Sequence, residues 1–234
     1  MRLRHVWRLA GRAVLLLLAA LVVYQAFLFG HVVWWIWFNP NTTAFMEQQL
    51  EALREKRPNA TLAHRWVPYE RISPNLKRAL IAAEDAKFLD HEGFDWEAIQ
   101  KAAERNLKRG KVVAGGSTIS QQLAKNLFLT NERSPGRKLQ EAAITVMIET
   151  VMSKRRSLEI YLNVIEWGNG VFGAEAAARH YFGVSAASLD PYQAARLAAM
   201  VPKPRFYDRV RSTPLLEQRT ATIRARMYQV TVPR

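Results

Sequence analysis

The sequence predicts a mainly α-helical protein with one N-terminal transmembrane helix, and three observations predict it. An apolar run from Ala13 to Phe38 exceeds the roughly 20 residues that cross a bilayer core. Beyond residue 60, apolar residues recur at helical spacing behind recognisable start signals, and period-two alternation is scarce. Any sheet is expected to be small.

The elements follow in chain order. Arg2, Arg4, Arg8 and Arg12 precede the apolar run with no acidic residue among them, which by the positive-inside rule keeps residues 1–12 cytoplasmic. From Ala13 to Phe29 only Gln25 interrupts, and after Gly30-His31 the run resumes from Val32 to Phe38, its tryptophans suited to the opposite interface. A cleavable signal peptide is the competing view. It fits poorly, because the apolar region is too long and Asn39-Pro40-Asn41-Thr42 offers no small-x-small cleavage site. Residues 13–38 are therefore expected to span the membrane, 39–60 to form a polar connector, and 61–234 to form one domain outside the cytoplasm. Within that domain helices are expected near 74–89, 96–108, 118–129, 136–153, 155–164, 172–181, 191–200 and 213–229. Ser73, Asp95, Ser117, Ser134 and Asp190 are the candidate N-caps, three of them followed by proline, and Gly93 is the expected stop of the first helix.

The 234 residues are 49% hydrophobic, ample for a core, and disorder is not expected. Lys and Arg number 34 against 20 Asp and Glu, a net charge of +14, so an anionic partner is expected. The four N-terminal arginines are the only such charges before residue 39, leaving 30 basic and 20 acidic groups in the outer portion. At a membrane surface that excess suits anionic lipid or a lipid phosphate, and nucleic acid becomes a poor explanation. The absence of cysteine removes thiol catalysis and cysteine metal sites.

Four constellations carry chemistry. Glu84 and Asp85 lie side by side near the negative end of a helix, where dipole and mutual repulsion both disfavour ionisation of at least one. That is how a carboxylate becomes a useful base; alone, the pair reads as a solvated acidic helix end, and it is the company of the other motifs that changes the reading. Next comes a basic, glycine-rich connection, Lys108 to Gly116, which is a mobile loop or a simple linker. It leads into Gly115-Gly116-Ser117-Thr118-Ile-Ser-Gln121-Gln122-Leu-Ala-Lys125-Asn126, an anion site at a helix N-terminus or an ordinary capped amphipathic helix. Ser117, Gln121 and Lys125 fall on one polar stripe, and the spacing is not that of a nucleotide-binding Walker loop. In the third group, Arg137 and Lys138 reach Glu141 at i,i+4 and i,i+3, either as a surface ion-pair cluster or as a grip on a diphosphate. The fourth, Lys154-Arg155-Arg156 running to Asn163, offers a basic start for lipid phosphates, a core formed by Leu158, Tyr161 and Leu162, and an asparagine able to stitch the following turn.

These blocks together resemble the glycosyltransferase family of peptidoglycan synthases, most closely its monofunctional biosynthetic transglycosylases, which have one transmembrane helix and no penicillin-binding domain. The resemblance rests on Glu84 to Asp95, Gly115 to Asn126, Arg137 to Glu141 and Glu159 to Asn163, in that order, with a weaker block at Ala194 to Ala199. Gln193 departs from the pattern, which usually has glutamate there. The resemblance implies a lysozyme-like helical fold and polymerisation of lipid II into β-1,4-linked glycan, with inversion and release of undecaprenyl diphosphate. It makes Glu84 the general base and Glu141 the second catalytic carboxylate. Asp85, Ser117, Thr118, Gln121, Gln122, Lys125, Asn126, Arg137 and Lys138 become substrate-binding candidates, His91 a hydrogen-bonded spacer, and Phe88 core.

No organic cofactor is expected. A divalent cation such as Mg2+ on the diphosphate, held with help from Glu141, stays open. The expected partners are lipid II, the growing glycan, the membrane crossed once and, as an open possibility, other proteins of cell-wall synthesis or division; the expected place is the bacterial inner membrane with a periplasmic catalytic domain. Two other functions compete: a tethered muramidase or lytic transglycosylase, which needs no phosphate grip, and a noncatalytic basic scaffold.

Overall fold

The computed structural model describes residues 2–111, 115–130, 132 and 134–234. It divides at Asn39 into two compact units. The first is essentially one helix, α1 (Arg2–Trp34), of which Trp7–Trp34 is long and apolar enough to cross a membrane. At about 1.5 Å per residue those 28 residues reach about 42 Å, more than a hydrocarbon core requires. Beyond its end the chain turns tightly, with the Phe38 ring stacked on Trp34 at 3.8 Å.

The second unit, Pro40–Arg234, is helical with a small sheet. Its helices are α2 (Ala44–Arg54), α3 (Pro74–Glu84), α4 (Trp96–Arg109), α5 (Ile119–Phe128), α6 (Pro135–Val151), α7 (Lys154–Val164), α8 (Ala174–Phe182), α9 (Pro191–Met200), α10 (Pro204–Val210) and α11 (Pro214–Arg226). Three short strands, β1 (Ala63–His64), β2 (Glu166–Gly168) and β3 (Val171–Phe172), form a sheet in the order β1-β3-β2. Ala63 pairs with Val171 in parallel register, and Glu166 with Phe172 in antiparallel.

Local chemistry accounts for most helix starts. The side chains of Ser73, Asp95, Ser134 and Asp190 each accept a backbone N–H of their own first turn, as their residue types predict. At α5 the cap is Thr118 rather than Ser117. Thr118 and Gln121 form a reciprocal capping box that Ser117, one residue early, cannot make with Gln121. Gln193 closes the equivalent box on Asp190 at α9, so glutamine at that position does the capping work a glutamate would do.

Elsewhere the elements differ from expectation. α2 lies within the stretch expected to be a connector, and α10 fills another expected gap. α3 stops at Glu84, not 89, because Asp85 leaves helical conformation (φ −162°, ψ 74°). Gly93 is therefore no helix stop. It has φ +88°, and a Cβ there would meet Thr145 Cγ2 at 2.8 Å and Glu149 Cγ at 2.9 Å, so glycine lets this loop lie against α6. The last expected helix ends at Arg226 and tightens into a single 3₁₀ turn through Gln229.

Packing groups the helices around two centres: α9 lies against α3 and α11, and α5 against α6 and α7. Leu80, Ile81, Phe88, Ile119, Leu123, Tyr161, Leu162, Trp167 and Phe172 are fully buried between them. Asn163, also buried, stitches α7 to residue 67: its Oδ1 accepts from Val67 N at 2.9 Å, and its Nδ2 donates to Val67 O at 3.0 Å and Glu159 O at 2.9 Å. Most of the basic start of α7 is also taken up internally. Lys154 donates to His91 O and Glu149 and Arg156 pairs with Glu159, so these two cations hold the fold, while Arg155 pairs with Glu70 at the surface.

Asn163→Ala leaves the Val67 N–H and carbonyl without their buried partner and is expected to cost roughly 2–4 kcal/mol. Denaturant unfolding in detergent reads this as a lower midpoint at unchanged slope; an unmoved midpoint removes the stitch from the account.

Candidate active site

The site is assembled on α5, and the end of α3 supplies its first carboxylate. Glu84, the last helical residue of α3, accepts a 2.8 Å hydrogen bond from Gln122 Nε2. Gln122 is held in that orientation from behind, because the fully buried Tyr161 donates its hydroxyl to Gln122 Oε1 at 2.6 Å. Burial, with the carboxylates of Glu84 and Asp85 nearby, pushes the Tyr161 phenol well above its ordinary range, so it keeps the proton it donates. Burial likewise raises the Glu84 carboxyl; the Gln122 bond and the positive charge of Arg219 on α11 oppose the rise, and Asp85 adds to it.

Asp85 points the other way. It is buried, accepts the Ile119 N–H at 3.0 Å and lies 2.9 Å from His91 Nε2. Gly93 N–H donates to His91 Nδ1, which leaves Nε2 to donate to Asp85. The Thr118 hydroxyl adds a 2.6 Å bond to Gly93 O. This network fastens the 85–93 loop to the start of α5, so the main chain on either side of Glu84 and Gln122 is fixed.

The cationic side lies along α5 and α6. Arg137 Nη1 donates to Glu141 Oε2 at 2.8 Å, and Lys138 Nζ pairs with the other carboxylate oxygen. Lys138 Nζ also lies 3.5 Å from the exposed Ser117 hydroxyl. Lys125 is partly buried and its ammonium is pulled below its ordinary range, first by desolvation; Glu141 raises it, Arg137 and Lys138 lower it, and Glu166 raises it. Asn126 Nδ2 donates to Gln122 O at 2.7 Å. A cavity of about 370 Å3 is lined by Gln122, Lys125 and Asn126 together with Phe45, Glu166 and Arg205. One residue, Gln122, thus touches the α3 carboxylate and lines the cavity that Lys125 lines.

The residues expected from sequence to bind substrate fall into two groups. Gln122 and Lys125 are partly exposed and line the cavity, as does the mostly buried Asn126, whereas Ser117, Arg137 and Lys138 lie outside its lining, the two cations near enough to Lys125 to lower its ammonium pKa. Asp85, Thr118 and Gln121 are buried with their polar atoms engaged inside the protein, so they stand behind the surface as supports. Glu141 has each oxygen held by a cation, and among the described residues no three His, Asp or Glu side chains gather as a metal set. Sequence reasoning missed Glu166, Arg205 and Arg219. For Glu166 a signal existed, an acidic residue alone in the apolar run Val164-Ile165-Glu166-Trp167.

A partly buried, hydrogen-bonded carboxylate and a cation group joined across one helix make a site for transferring a group with an anionic leaving end. A family model described as transglycosylase matches residues 49–228. The chain belongs to the transglycosylase family. Among its relatives is the biosynthetic peptidoglycan transglycosylase of Nitrosospira multiformis, 63% identical over 230 residues that cover 98% of each chain. Similar too are proteins of the same description from Methylobacillus flagellatus, 61% identical over 97% of this chain and 99% of the relative, and Laribacter hongkongensis, 62% identical over 95% and 97%. Family membership makes this chain a peptidoglycan glycosyltransferase of cell-wall synthesis with the family's helical, lysozyme-like domain.

If Glu84 is the base that the resemblance implies, it must be ionised to work, and its raised carboxyl then places the acidic limb of the activity profile above that of an ordinary carboxylate. Arg219→Met removes a charge that favours ionised Glu84, and the limb is expected to move to still higher pH with plateau activity largely kept. A kcat/KM–pH profile that does not move takes Arg219 out of the site.

Proposed function

We propose that this transglycosylase polymerises lipid II, with Glu84 as general base and the Lys125, Arg137 and Lys138 cations receiving the departing diphosphate. What supports the assignment above all is the double role of Gln122, bonded to Glu84 and lining the cavity with Lys125.

Glu84 takes the proton of the acceptor sugar's 4-hydroxyl while that oxygen attacks the anomeric carbon of the donor chain. The bond from that carbon to the diphosphate oxygen breaks, the electron pair leaves with undecaprenyl diphosphate, and the anomeric centre inverts. Negative charge that had been shared with the sugar concentrates on the diphosphate as this bond breaks, and a cation placed there acts more strongly on the transition state than on the bound substrate. Arg137 suits a planar, two-point contact and the lysines point-charge contacts. Glu141 sets the direction of Arg137 and Lys138 and keeps them close together despite their repulsion. A diphosphate leaves without being protonated by an enzyme acid, so one base and a cationic cradle suffice.

A place in the cell is supported by α1 and the arginines at its start. Its arginines at positions 2, 4, 8 and 12 hold the N-terminus in the cytoplasm, the 28-residue apolar helix anchors the chain in the inner membrane, and the unit from Pro40 onward works on the periplasmic side, where the lipid-linked substrate is fed from the bilayer.

Glu84→Gln keeps an acceptor for Gln122 and is expected to fold and bind lipid II while losing about 10²–10⁴-fold in turnover. Gel analysis of polymer made from purified lipid II, with finished glycan as a parallel substrate, tests this. Full polymerisation by Glu84→Gln, or cleavage of the glycan in place of synthesis from lipid II, overturns the assignment.

A further inference from the structure

The cavity lining also includes an ion pair, its carboxylate buried and its guanidinium half-exposed, that the reaction as described does not use. Glu166 lies in β2 between the buried Ile165 and Trp167, and its carboxylate accepts a 2.8 Å hydrogen bond from Arg205 Nε at the start of α10. The Glu166 side chain is 6% exposed and that of Arg205 44%. Burial raises the Glu166 carboxyl, and the Arg205 bond is the largest influence holding it down.

A desolvated carboxylate with one cation is a poor source of stability, since several kcal/mol of lost hydration offset the attraction. Its value lies in direction. The bond engages Nε, and among the described residues the Nη groups of Arg205 make no hydrogen bond. Both partners sit on a rigid base. Asp208 on α10 accepts from Asn169 N at 3.0 Å, His180 Nε2 lies 2.7 Å from it, and Tyr181 donates to both Trp167 O and Asp208. Gly168 fits so closely that a Cβ would lie 2.6 Å from the Tyr181 hydroxyl. β2 and α10 are thereby tied together, and the Glu166 bond holds the half-exposed Arg205 at the cavity lining.

The cavity's charge balance points to its occupant. Lys125, Lys203 and Arg205 line it with one carboxylate, Glu166, which Arg205 already bonds. An oxyanion is the group such a wall takes, and Arg is the residue for a two-point contact with phosphate or carboxylate.

We propose that Arg205, aimed by Glu166, is a positioning residue that binds an oxyanion of the lipid-linked sugar substrate in this cavity, which Lys125 also lines. The inference rests on the lipid II reading above. Two oxyanions of that substrate share the required chemistry, the diphosphate and the carboxylates of the peptide stem.

The test compares wild type with Arg205→Met, Arg205→Gln, Arg205→Lys, Glu166→Gln and the double variant Glu166→Gln/Arg205→Met. Each is assayed on lipid II and on the same lipid-linked disaccharide lacking its peptide. Loss of one charge-assisted contact is expected to raise KM about tenfold with kcat nearly unchanged in the methionine and glutamine variants. Lysine should recover part of the loss. The double variant should be no worse than Arg205→Met, because Glu166 acts through Arg205. An equal KM rise on both substrates assigns the diphosphate; a rise confined to the peptide-bearing substrate assigns the stem carboxylate. Unchanged KM on both substrates, in whichever neutral variant folds, overturns the inference, as does a loss confined to thermal stability. A wild type inactive on lipid II would instead overturn the reading beneath it.

Discussion

The hydrogen bond between Gln122 and Glu84 is the constraint on which the site depends, because it fixes the end of α3 against the middle of α5. Neither helix alone makes a site. α3 brings a carboxylate to a helix C-terminus, where the backbone dipole is unfavourable to its charge. α5 brings, one turn after Gln122, the lysine of the cation group. The amide between them is aligned by the Tyr161 hydroxyl, and Tyr161 is itself locked in the core of α7. Three helices thus converge on one side chain, and the apolar packing of Ile119, Leu123 and Leu162 is what keeps them converged.

The two carboxylates of the site are treated in opposite ways by the fold. Glu141 has a cation on each oxygen, so its charge is spent on arranging Arg137 and Lys138. Glu84 receives a neutral amide and only the more distant charge of Arg219, which leaves desolvation dominant. A base needs appetite for a proton, whereas an organiser of cations needs none. Chemically identical side chains are divided between these tasks by their neighbours alone.

Much of this was legible in the chain. Four N-caps and the order of the motif blocks predicted most helices, and the Thr118-x-x-Gln121 spacing already contained the capping box, although the adjacent Ser117 competed for the same reading. The i,i+3 and i,i+4 spacing around Glu141 predicted its ion pairs, whereas Asn163, expected to stitch the turn that follows it, instead ties α7 to Val67, far away in sequence. What stayed hidden was of two kinds. Strands of two or three residues, and helices as short as α10, are too brief to show a period. Contacts such as Glu166 with Arg205, or the field of Arg219 at Glu84, join residues far apart in sequence, and no local pattern records them. The retreat of α3 from residue 89 to 84 is of the second kind as well, since Asp85 turns away from the helix toward His91 and the Ile119 N–H.

The donors behind Glu84 run in one direction only: phenol to amide oxygen, amide N–H to carboxylate. With the phenol keeping its hydrogen, the amide has no reason to turn and offer its oxygen instead. A carboxylate at the end of such a relay is gripped most firmly while it is charged, because the last bond is then charge-assisted. Once it has accepted a proton, the same bond falls to that of a neutral pair and the grip slackens. In the proposed reaction, taking the sugar's proton would therefore loosen the side chain that takes it, and a base that loosens when loaded is readied to unload before the next round.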